Sequence, residues 1–556
     1  MKKKTIIGLV LIGVMLVIFL TARITDDGKN QKIKEFTAFF DVPGNMINED
    51  NEIKELIAQK IGAYCQEQWL SGKSADEAIA SYIASGEYTD FISGNTALYE
   101  AGALIPIDMY WDNYPNIKNF LPAEIWDRFR QADGHVYWIP QFGIVHGKVE
   151  EVLHEGEAFW IQTRVLKWAG YPDICTLDEY FALLEAYVAE NPVMENPFRQ
   201  EEIMENIPFT ILCDDWRYFC LENPPQFLDG FPNDGSCMVD TNTRTVLDYN
   251  TSETAKRYFK KLNEEYNKGI VDQEFFTQSY QEYLEKIASG RVLGMVDQWW
   301  QFAYSVNTSL ENMPVQNYGY VPLPITIDRG IQNQWHIKRG AELSVADGIS
   351  ITVSCEDLKG AMQFINDLLD EEILKLRYWG IEGIDYDVYV NGVYYRTPEQ
   401  RERAKNLDYS NAHFCMYSYF PRIEGMLSDG INAFSPEYQA DEFLNALAPD
   451  VKECLAAYGC RNYVEMLGTN NAPGPWFPMY SYSEMLTSET EAGRVWEKMK
   501  SIKIDYLPRV VMTENFEEMW QQYMEDYTAC QPEIFFEEMQ RELERRIGVV
   551  KQTKIK

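Results

Sequence analysis

Apolar residues recur at helical spacing in several long segments of the chain. Residues 176–190 begin with a capping box, formed by Thr176 and Glu179, and carry their apolar residues on one broad face. Residues 251–269 show the same arrangement, and residues 516–548 hold two more amphipathic stretches. The spacing therefore predicts amphipathic helices that each pack one face on a core.

Short apolar runs lie between these helices and predict strands. They occupy residues 36–40, 89–92, 135–139, 208–213 and 292–296. Strands that alternate with helices indicate an α/β fold. No internal repeat or low-complexity linker divides the chain. We therefore expect two lobes between which the polypeptide crosses more than once.

Length and charge narrow the functional classes. A chain of 556 residues is too long for one compact domain, and two or three are expected. The formal net charge is -36, which argues against nucleic acid as a partner because phosphate binding needs clustered lysine and arginine. A polyanionic ligand is also disfavoured, unless a local basic pocket exists. Aromatic residues reach 14%, which favours recognition of flat or apolar faces, although thick cores also use them.

The N-terminus has the pattern of an export signal. Lys2, Lys3 and Lys4 precede an uncharged apolar run at residues 5–20, and a polar stretch follows. Residues 1–22 are therefore predicted to be a signal peptide or a signal anchor, with cleavage left open. The remainder is expected outside the cytoplasmic membrane, either associated with its extracellular face through this segment or secreted. No cysteine follows the run, so a lipid anchor is not expected.

No motif for catalysis or metal binding appears. The five histidines form no HExxH, and neither a GxSxG elbow nor a phosphate-binding loop occurs. The ten cysteines form no CxxC pair and are expected to be free, mostly buried thiols. Abundant carboxylates leave a glycosidase pair open, since that pair is defined by distance and not by sequence spacing. We expect a protein that is not an enzyme and uses no cofactor or metal.

The order of several segments resembles a known family. These segments are ASGEYTDFISGNTALYEAGALIPID (84–108), DGHVYWIPQ (133–141), FWIQTRVLKWAGYPDICTLDEYFALLEAY (159–187), EKIASGRVLGMVDQWW (285–300) and YWGIEGIDYDV (378–388). Together they resemble the extracellular solute-binding proteins of ABC importers, family 1 type, in the carbohydrate and oligosaccharide branch. No single segment is specific, and the resemblance depends on the ordered set.

The resemblance implies a periplasmic-binding-protein-like fold, in which two α/β lobes joined by hinge strands hold a ligand in the cleft. The first lobe is expected to comprise residues 36–145 and 320–378, and the second residues 146–319 and 379–556. Some relatives carry a calcium loop after the TLDEY helix. Here residues 189–203 lack the Asp-x-Asx-x-Asx-Gly spacing, so no metal is expected there.

Two adjacent tryptophans, Trp299 and Trp300, follow the apolar run at residues 292–296. In the family an aromatic residue after this strand stacks on the ligand, and Asp297 and Gln298 would bind sugar hydroxyls beside the rings. The alternative is that both rings pack between helices. The other candidate ligand-binding residues lie at segment ends, where core or hinge packing is also possible: Asn95, Trp138, Gln141, Trp216, Trp379 and Trp476.

These observations predict an exported, membrane-associated substrate-binding component of an ABC importer. It would be a monomer that captures a sugar or oligosaccharide and delivers it to the permease subunits. A peptide or another small polar solute is the alternative ligand. A secreted glycoside-degrading enzyme and a surface sensor or adhesin are the alternatives from other classes.

Overall fold

The computed structural model describes residues 32–44, 47–199, 201–311, 313, 317–340, 343–468 and 471–548. The predicted signal at residues 1–22 lies outside this part. The strands are β1 (Lys34–Phe40), β2 (Ala63–Trp69), β3 (Phe91–Gly94), β4 (Val145–His146), β5 (Glu157–Gln162), β6 (Val193–Glu195), β7 (Ile203–Glu205), β8 (Met238–Asp240), β9 (Thr245–Leu247), β10 (Gly294–Gln298), β11 (Tyr320–Leu323), β12 (Gly348–Ile351), β13 (Asp387–Val388), β14 (Tyr394–Tyr395) and β15 (Glu424–Gly425).

Helices fill most of the intervals between the strands. They are α1 (Glu52–Ile61), α2 (Ala75–Ser85), α3 (Thr96–Glu100), α4 (Pro115–Lys118), α5 (Ala123–Trp126), α6 (Thr163–Trp168), α7 (Leu177–Glu190), α8 (Phe219–Glu222), α9 (Pro224–Leu228), α10 (Glu253–Asn267), α11 (Tyr280–Ala288), α12 (Trp299–Glu311), α13 (Leu358–Leu368), α14 (Glu371–Tyr378), α15 (Pro398–Lys405), α16 (Leu407–His413), α17 (Ala440–Ala446), α18 (Pro449–Ala457), α19 (Tyr463–Leu467), α20 (Tyr480–Ser483), α21 (Glu491–Met512), α22 (Phe516–Ala529) and α23 (Glu533–Arg546).

The long helices form where their apolar spacing predicts them. At the start of α7, the Thr176 hydroxyl accepts a hydrogen bond from the backbone N–H of Glu179, whose side chain closes the capping box. Helix α10 begins after its cap Ser252, and its apolar stripe is buried. Helices α22 and α23 confirm the two amphipathic stretches near the C-terminus.

The first lobe is built on a four-stranded sheet in the order β12-β3-β1-β2. Strand β1 is parallel to β2 and β3, whereas β12 is antiparallel to β3. Phe36, Phe91, Phe364 and Phe420 pack edge to face or tilted in the core below it. Parallel strands joined by helices leave the carboxyl ends of β1 and β3 at one edge of the sheet, where the chain turns toward the other lobe.

The second lobe holds a three-stranded antiparallel sheet in the order β10-β5-β11. Two predicted strands are absent from the described residues as regular elements. Residues 208–213 pair with their neighbours only through isolated bridges at Phe209 and Thr210, because Pro208 has no N–H to continue a ladder. Residues 135–139 form a single bridge, between Ile139 and Ile349, before Pro140 ends the run.

Two hydrophobic cores define the lobes. One contains residues 36–144, 343–373 and 415–420, and the other contains residues 152–337 and 427–543. The described chain therefore crosses between the cores more than once, near residues 145–151, 338–340 and 421–426. Strand β11 pairs with β5 in the second lobe, so the sequence-derived boundary at residue 320 differs from the observed crossing.

Candidate functional site

A cavity of about 1800 Å³ lies between the two lobes. Its first-lobe residues follow the ends of β1 and β3 and the segment before β12. Its second-lobe residues come from the turn at 214–217 and from the start of α11 and α12. The crossing segments and residues 404–451 complete its base. The lining residues thus place this cavity in the interlobe cleft.

An aromatic platform, formed by Trp216 and Trp300, lines the second-lobe side of this cavity. The two rings lie nearly parallel, with centroids 5.9 Å apart and planes 17° apart. They are 39% and 38% exposed, although tryptophan is usually well buried. Trp299 also lines the cavity and contacts Tyr304 edge to face at 4.8 Å. The tandem tryptophans therefore face the cleft.

The end of β10 and an adjacent 3₁₀ turn position the two rings of the platform. Strand β10 ends at Gln298 and α12 begins at Trp299, so the chain turns at the cleft edge of the sheet. Trp216 lies in a short 3₁₀ turn, Asp215–Tyr218, that follows the bridged residues 207–210 beside β10. Neighbouring strand ends therefore bring two residues that are distant in sequence into one surface.

Asp297 does not line the cavity, contrary to the sequence prediction. Its side chain is fully buried and accepts hydrogen bonds from Tyr283 Oη at 2.6 Å, Gln301 Nε2 at 2.6 Å and the Gln298 N–H at 2.7 Å. Burial raises the pKa of Asp297 to about 7, although hydrogen bonds from Tyr283, Cys220 and the Gln298 N–H act to lower it. Alternation along β10 turns this residue inward, where it supports the platform from behind.

Two further candidates, Asn95 and Gln141, line the cavity from the first lobe. The Asn95 side chain also caps α3, because its oxygen accepts the Leu98 N–H at 3.1 Å. Gln141 donates to the Tyr419 carbonyl at 2.5 Å. Both side chains are therefore held by the protein and present their remaining polar atoms to the cleft.

Three predicted residues belong to the protein interior. Trp138 is fully buried and donates its ring N–H to the Val345 carbonyl at 3.1 Å. Trp379 is also fully buried and donates to the Ala433 carbonyl at 2.9 Å. Trp476 is 5% exposed despite its Pro/Gly-rich loop and packs on Phe477. Backbone carbonyls accept the ring N–H groups of Trp138 and Trp379, and Trp476 is buried against Phe477. All three rings therefore belong to the packed interior.

An acidic wall, formed by Asp41, Asp347 and Glu484, was not predicted from the sequence. All three side chains line the cavity. Desolvation within the cleft, followed by the charge of Asp41, raises the pKa of Asp347 to about 6, although this residue keeps an exposed surface. Desolvation and the charge of Asp347 raise the pKa of Glu484 to about 7. Burial likewise raises the pKa of Asp41. The wall offers acceptors to hydroxyl groups and repels anions.

A hinge network ties the three crossing segments together at the base of the cavity. Arg339 binds Glu155 and Glu424, with the second contact at 2.5 Å, and Arg422 binds Glu424 at 3.1 Å. Burial opposes ionisation of Glu155, but Arg339 overcomes this and holds its pKa at about 2. Strand β4 pairs with β15 in the same region. These charges are mutually satisfied, so the network orders the hinge.

Aromatic residues of the first lobe were also missed. Trp69, Phe142 and Tyr419 line the cavity, and Tyr419 contacts the other two edge to face at 5.1 and 5.3 Å. Phe142 directly follows Gln141, and Trp69 ends β2 as Trp299 follows β10. An aromatic residue at a strand end is the signal that would have found Trp69.

Within the described residues, no helix has the length and mean hydropathy needed to cross a membrane. The same part of the chain contains no cluster of three or more metal-binding side chains. Val193–Glu195 and Ile203–Glu205 pair antiparallel as β6 and β7. All ten cysteines are free, and most are buried, as expected.

Comparison with known proteins identifies the fold. No protein-family model and no curated protein matches the chain. It is similar to the alginate-binding protein AlgQ2, with 15% identity, a TM-score of 0.62 and coverage of 92% of this chain and 98% of that one. It is also similar to the S. pneumoniae ABC-transporter substrate-binding protein FusA in complex with kestose, with 16% identity, a TM-score of 0.63 and coverage of 93% and 100%.

A third neighbour is an HMO-binding, ABC-transporter-associated solute-binding protein from Bifidobacterium longum infantis. It has 14% identity and a TM-score of 0.56, and the match covers 93% of this chain and 99% of that one. The chain therefore has the periplasmic-binding-protein-like fold of solute-binding proteins, with two α/β lobes around a cleft. Each of these neighbours is matched over nearly its whole length, so the likeness includes both lobes.

Proposed function

We propose that the chain is the exported substrate-binding component of an ABC importer and that it captures an oligosaccharide. The observation that carries this proposal is the aromatic platform at the cleft. A pyranose presents a patch of C–H groups that packs on a flat ring, while its hydroxyls bond to polar groups at the rim. Trp216 and Trp300 supply the rings, and Asn95, Gln141 and the acidic wall supply polar partners.

The size of the cavity favours an oligosaccharide over a single sugar. Its volume of about 1800 Å³ exceeds the roughly 300–1,000 Å³ typical of small-molecule sites. The neighbours bear on the same question, since AlgQ2 is named an alginate-binding protein and FusA was solved with kestose. Of the nine predicted ligand-binding residues, we retain Asn95, Gln141, Trp216, Trp299 and Trp300.

Binding without chemistry is the expected mode of action. An open two-lobed form would close around the ligand, and contacts made to both lobes at once would stabilise the closed form. We further propose that the protein acts as a monomer outside the cytoplasmic membrane, and that residues 1–22 direct it there and associate it with the membrane unless cleaved. Closed protein would then deliver its ligand to the permease subunits.

A thermal-shift screen tests the proposal. Oligosaccharides of three or more units should raise the melting temperature, and matched monosaccharides should do so less, because a ligand that binds only the folded state stabilises it. The variant Trp168→Ala should be stabilised by the same oligosaccharides as the native protein, because this exposed ring lies on the second lobe outside the cavity. Stabilisation by oligopeptides alone would instead support the alternative ligand, and reducing ends released from polysaccharide would support an enzyme.

A further inference from the structure

Arg217 is an unusual cation in the cleft. Lysine and arginine line the cavity at four described positions, and Arg339, Lys405 and Arg422 each form an ion pair. Arg217 has no described carboxylate at ion-pair distance, and its Nε has no hydrogen-bond partner. The residue is only 6% exposed. Burying a charged group without an ion-pair partner costs free energy. A ligand that brings an anionic group to Arg217 would reduce that cost.

The protein holds this guanidinium between two aromatic rings. Its central carbon lies 4.6 Å from the Trp216 ring centroid and 4.1 Å from that of Tyr280. The Asp214 carboxylate accepts the Tyr280 N–H at 2.9 Å, which fastens the turn to α11. Asp215 has a positive φ of 55°, a strained conformation for a residue that is not glycine. Arg217 is thus fixed beside the platform.

The nearby carboxylate of Asp297 does not replace a direct partner. Arg217 lowers the pKa of Asp297, but burial dominates and raises that pKa to about 7. Its oxygens already accept from Tyr283, Gln301 and Gln298. Among the described residues, the guanidinium therefore has no carboxylate in direct contact.

We propose that Arg217 is a subsite for a carboxylate, and that the captured oligosaccharide carries an acidic sugar beside the unit that packs on the aromatic platform. This inference rests on the proposed function. Guanidinium binds carboxylate with charge-assisted hydrogen bonds in a planar geometry. The acidic wall of Asp41, Asp347 and Glu484 lines the same cavity, so a ligand charged at every unit would be repelled there. The site fits one or few carboxylates among neutral sugars.

Matched ligand pairs test the proposal in the full chain. Isothermal titration would compare sialyllactose, and glucuronic acid-bearing xylo-oligosaccharides, each with its carboxyl-reduced form of the same length, at one ionic strength. In at least one pair the acidic member should bind about 10- to 100-fold more tightly, as charge-assisted hydrogen bonds predict. Arg217→Met should remove this preference, while Arg217→Lys should keep part of it. Arg257→Met is the control, because Arg257 pairs with Asp328 outside the cavity.

The outcomes separate this inference from the proposed function. Neutral oligosaccharides that bind as tightly as their acidic partners would overturn the carboxylate subsite and leave sugar capture intact. Equal losses for neutral and acidic ligands in both Arg217→Met and Asp347→Asn would indicate a salt bridge between the lobes on closure, which also overturns it. If no oligosaccharide in the set binds, both proposals fail.

Discussion

Replacing Asp297 by asparagine tests whether this residue is a structural support and not a ligand contact. The carboxylate is fully buried behind the aromatic platform, with hydrogen bonds from Tyr283, Gln301 and Gln298. Asparagine has nearly the same shape, and its amide can still accept from Gln298 and donate to the Tyr283 hydroxyl oxygen. The substitution therefore removes a titrating group and disturbs the packing little.

The expected effect is a change in how stability depends on pH. Burial raises the pKa of Asp297 from 3.8 to about 7 in the folded protein. Below pH 3.8 Asp297 is protonated in the folded and in the unfolded protein, and its contribution to the unfolding free energy is fully present. As the pH rises toward 7 the unfolded state ionises first, so the contribution is lost, by at most about 4 kcal/mol. Above pH 7 both states are ionised and no further loss occurs.

Chemical denaturation between pH 4 and pH 8, followed by tryptophan fluorescence, measures this difference. The unfolding free energy of the native protein minus that of Asp297→Asn should fall across the range, while ligand affinity stays nearly unchanged. Asp112→Asn is a matched control, because the Asp112 side chain is 79% exposed. A difference that does not vary with pH, or a large loss of affinity in Asp297→Asn, would refute the argument.

Other substitutions separate the cleft from its supports. Trp216→Ala and Trp300→Ala should each lower oligosaccharide affinity about tenfold in a fluorescence titration, with little change in melting temperature, because each removes one ring of the platform. Trp138→Ala should lower the unfolding free energy by about 3–5 kcal/mol and leave the affinity of the folded fraction unchanged, since the ring is core. Arg339→Met should lower the unfolding free energy by about 3–5 kcal/mol, because it leaves the buried Glu424 with only one of its two cations. A melting temperature equal to that of the native protein would contradict this expectation.

Sequence reasoning located the long helices and named both rings of the platform, Trp216 and Trp300, as candidates. Periodicity and a capping box are local signals, so α7 and α10 were predictable from residues within one or two turns. Trp299 and Trp300 were predictable because a strand end and the family resemblance both point to the cleft. Trp138 and Trp379 looked the same in sequence, yet the direction of a ring depends on which neighbours surround it after folding.

The residues that sequence reasoning missed were hidden for a different reason: their role depends on contacts between distant parts of the chain. Asp41, Asp347 and Glu484 are more than 100 residues apart in the chain, and only the packing of the two lobes brings them to one wall. Arg217 stands in a turn with two aspartates, which in sequence suggests an ordinary surface ion pair. Its lack of a partner is visible only once the Asp214 carboxylate is seen to bind the Tyr280 N–H.

The distribution of groups between the lobes suggests an order of events in capture. The aromatic platform and Arg217 both belong to the second lobe, where buried strands and a strained turn hold them in place. Stacking on the platform needs no movement of the first lobe, so a ligand can bind there while the cleft is open. Asn95, Gln141 and Asp347 line the cavity from the first lobe, so in the proposed capture we expect them to add polar contacts on closure. Because the hinge network fixes the crossing segments, we expect closure to be a rotation of intact lobes, with the free energy for it supplied by these late contacts.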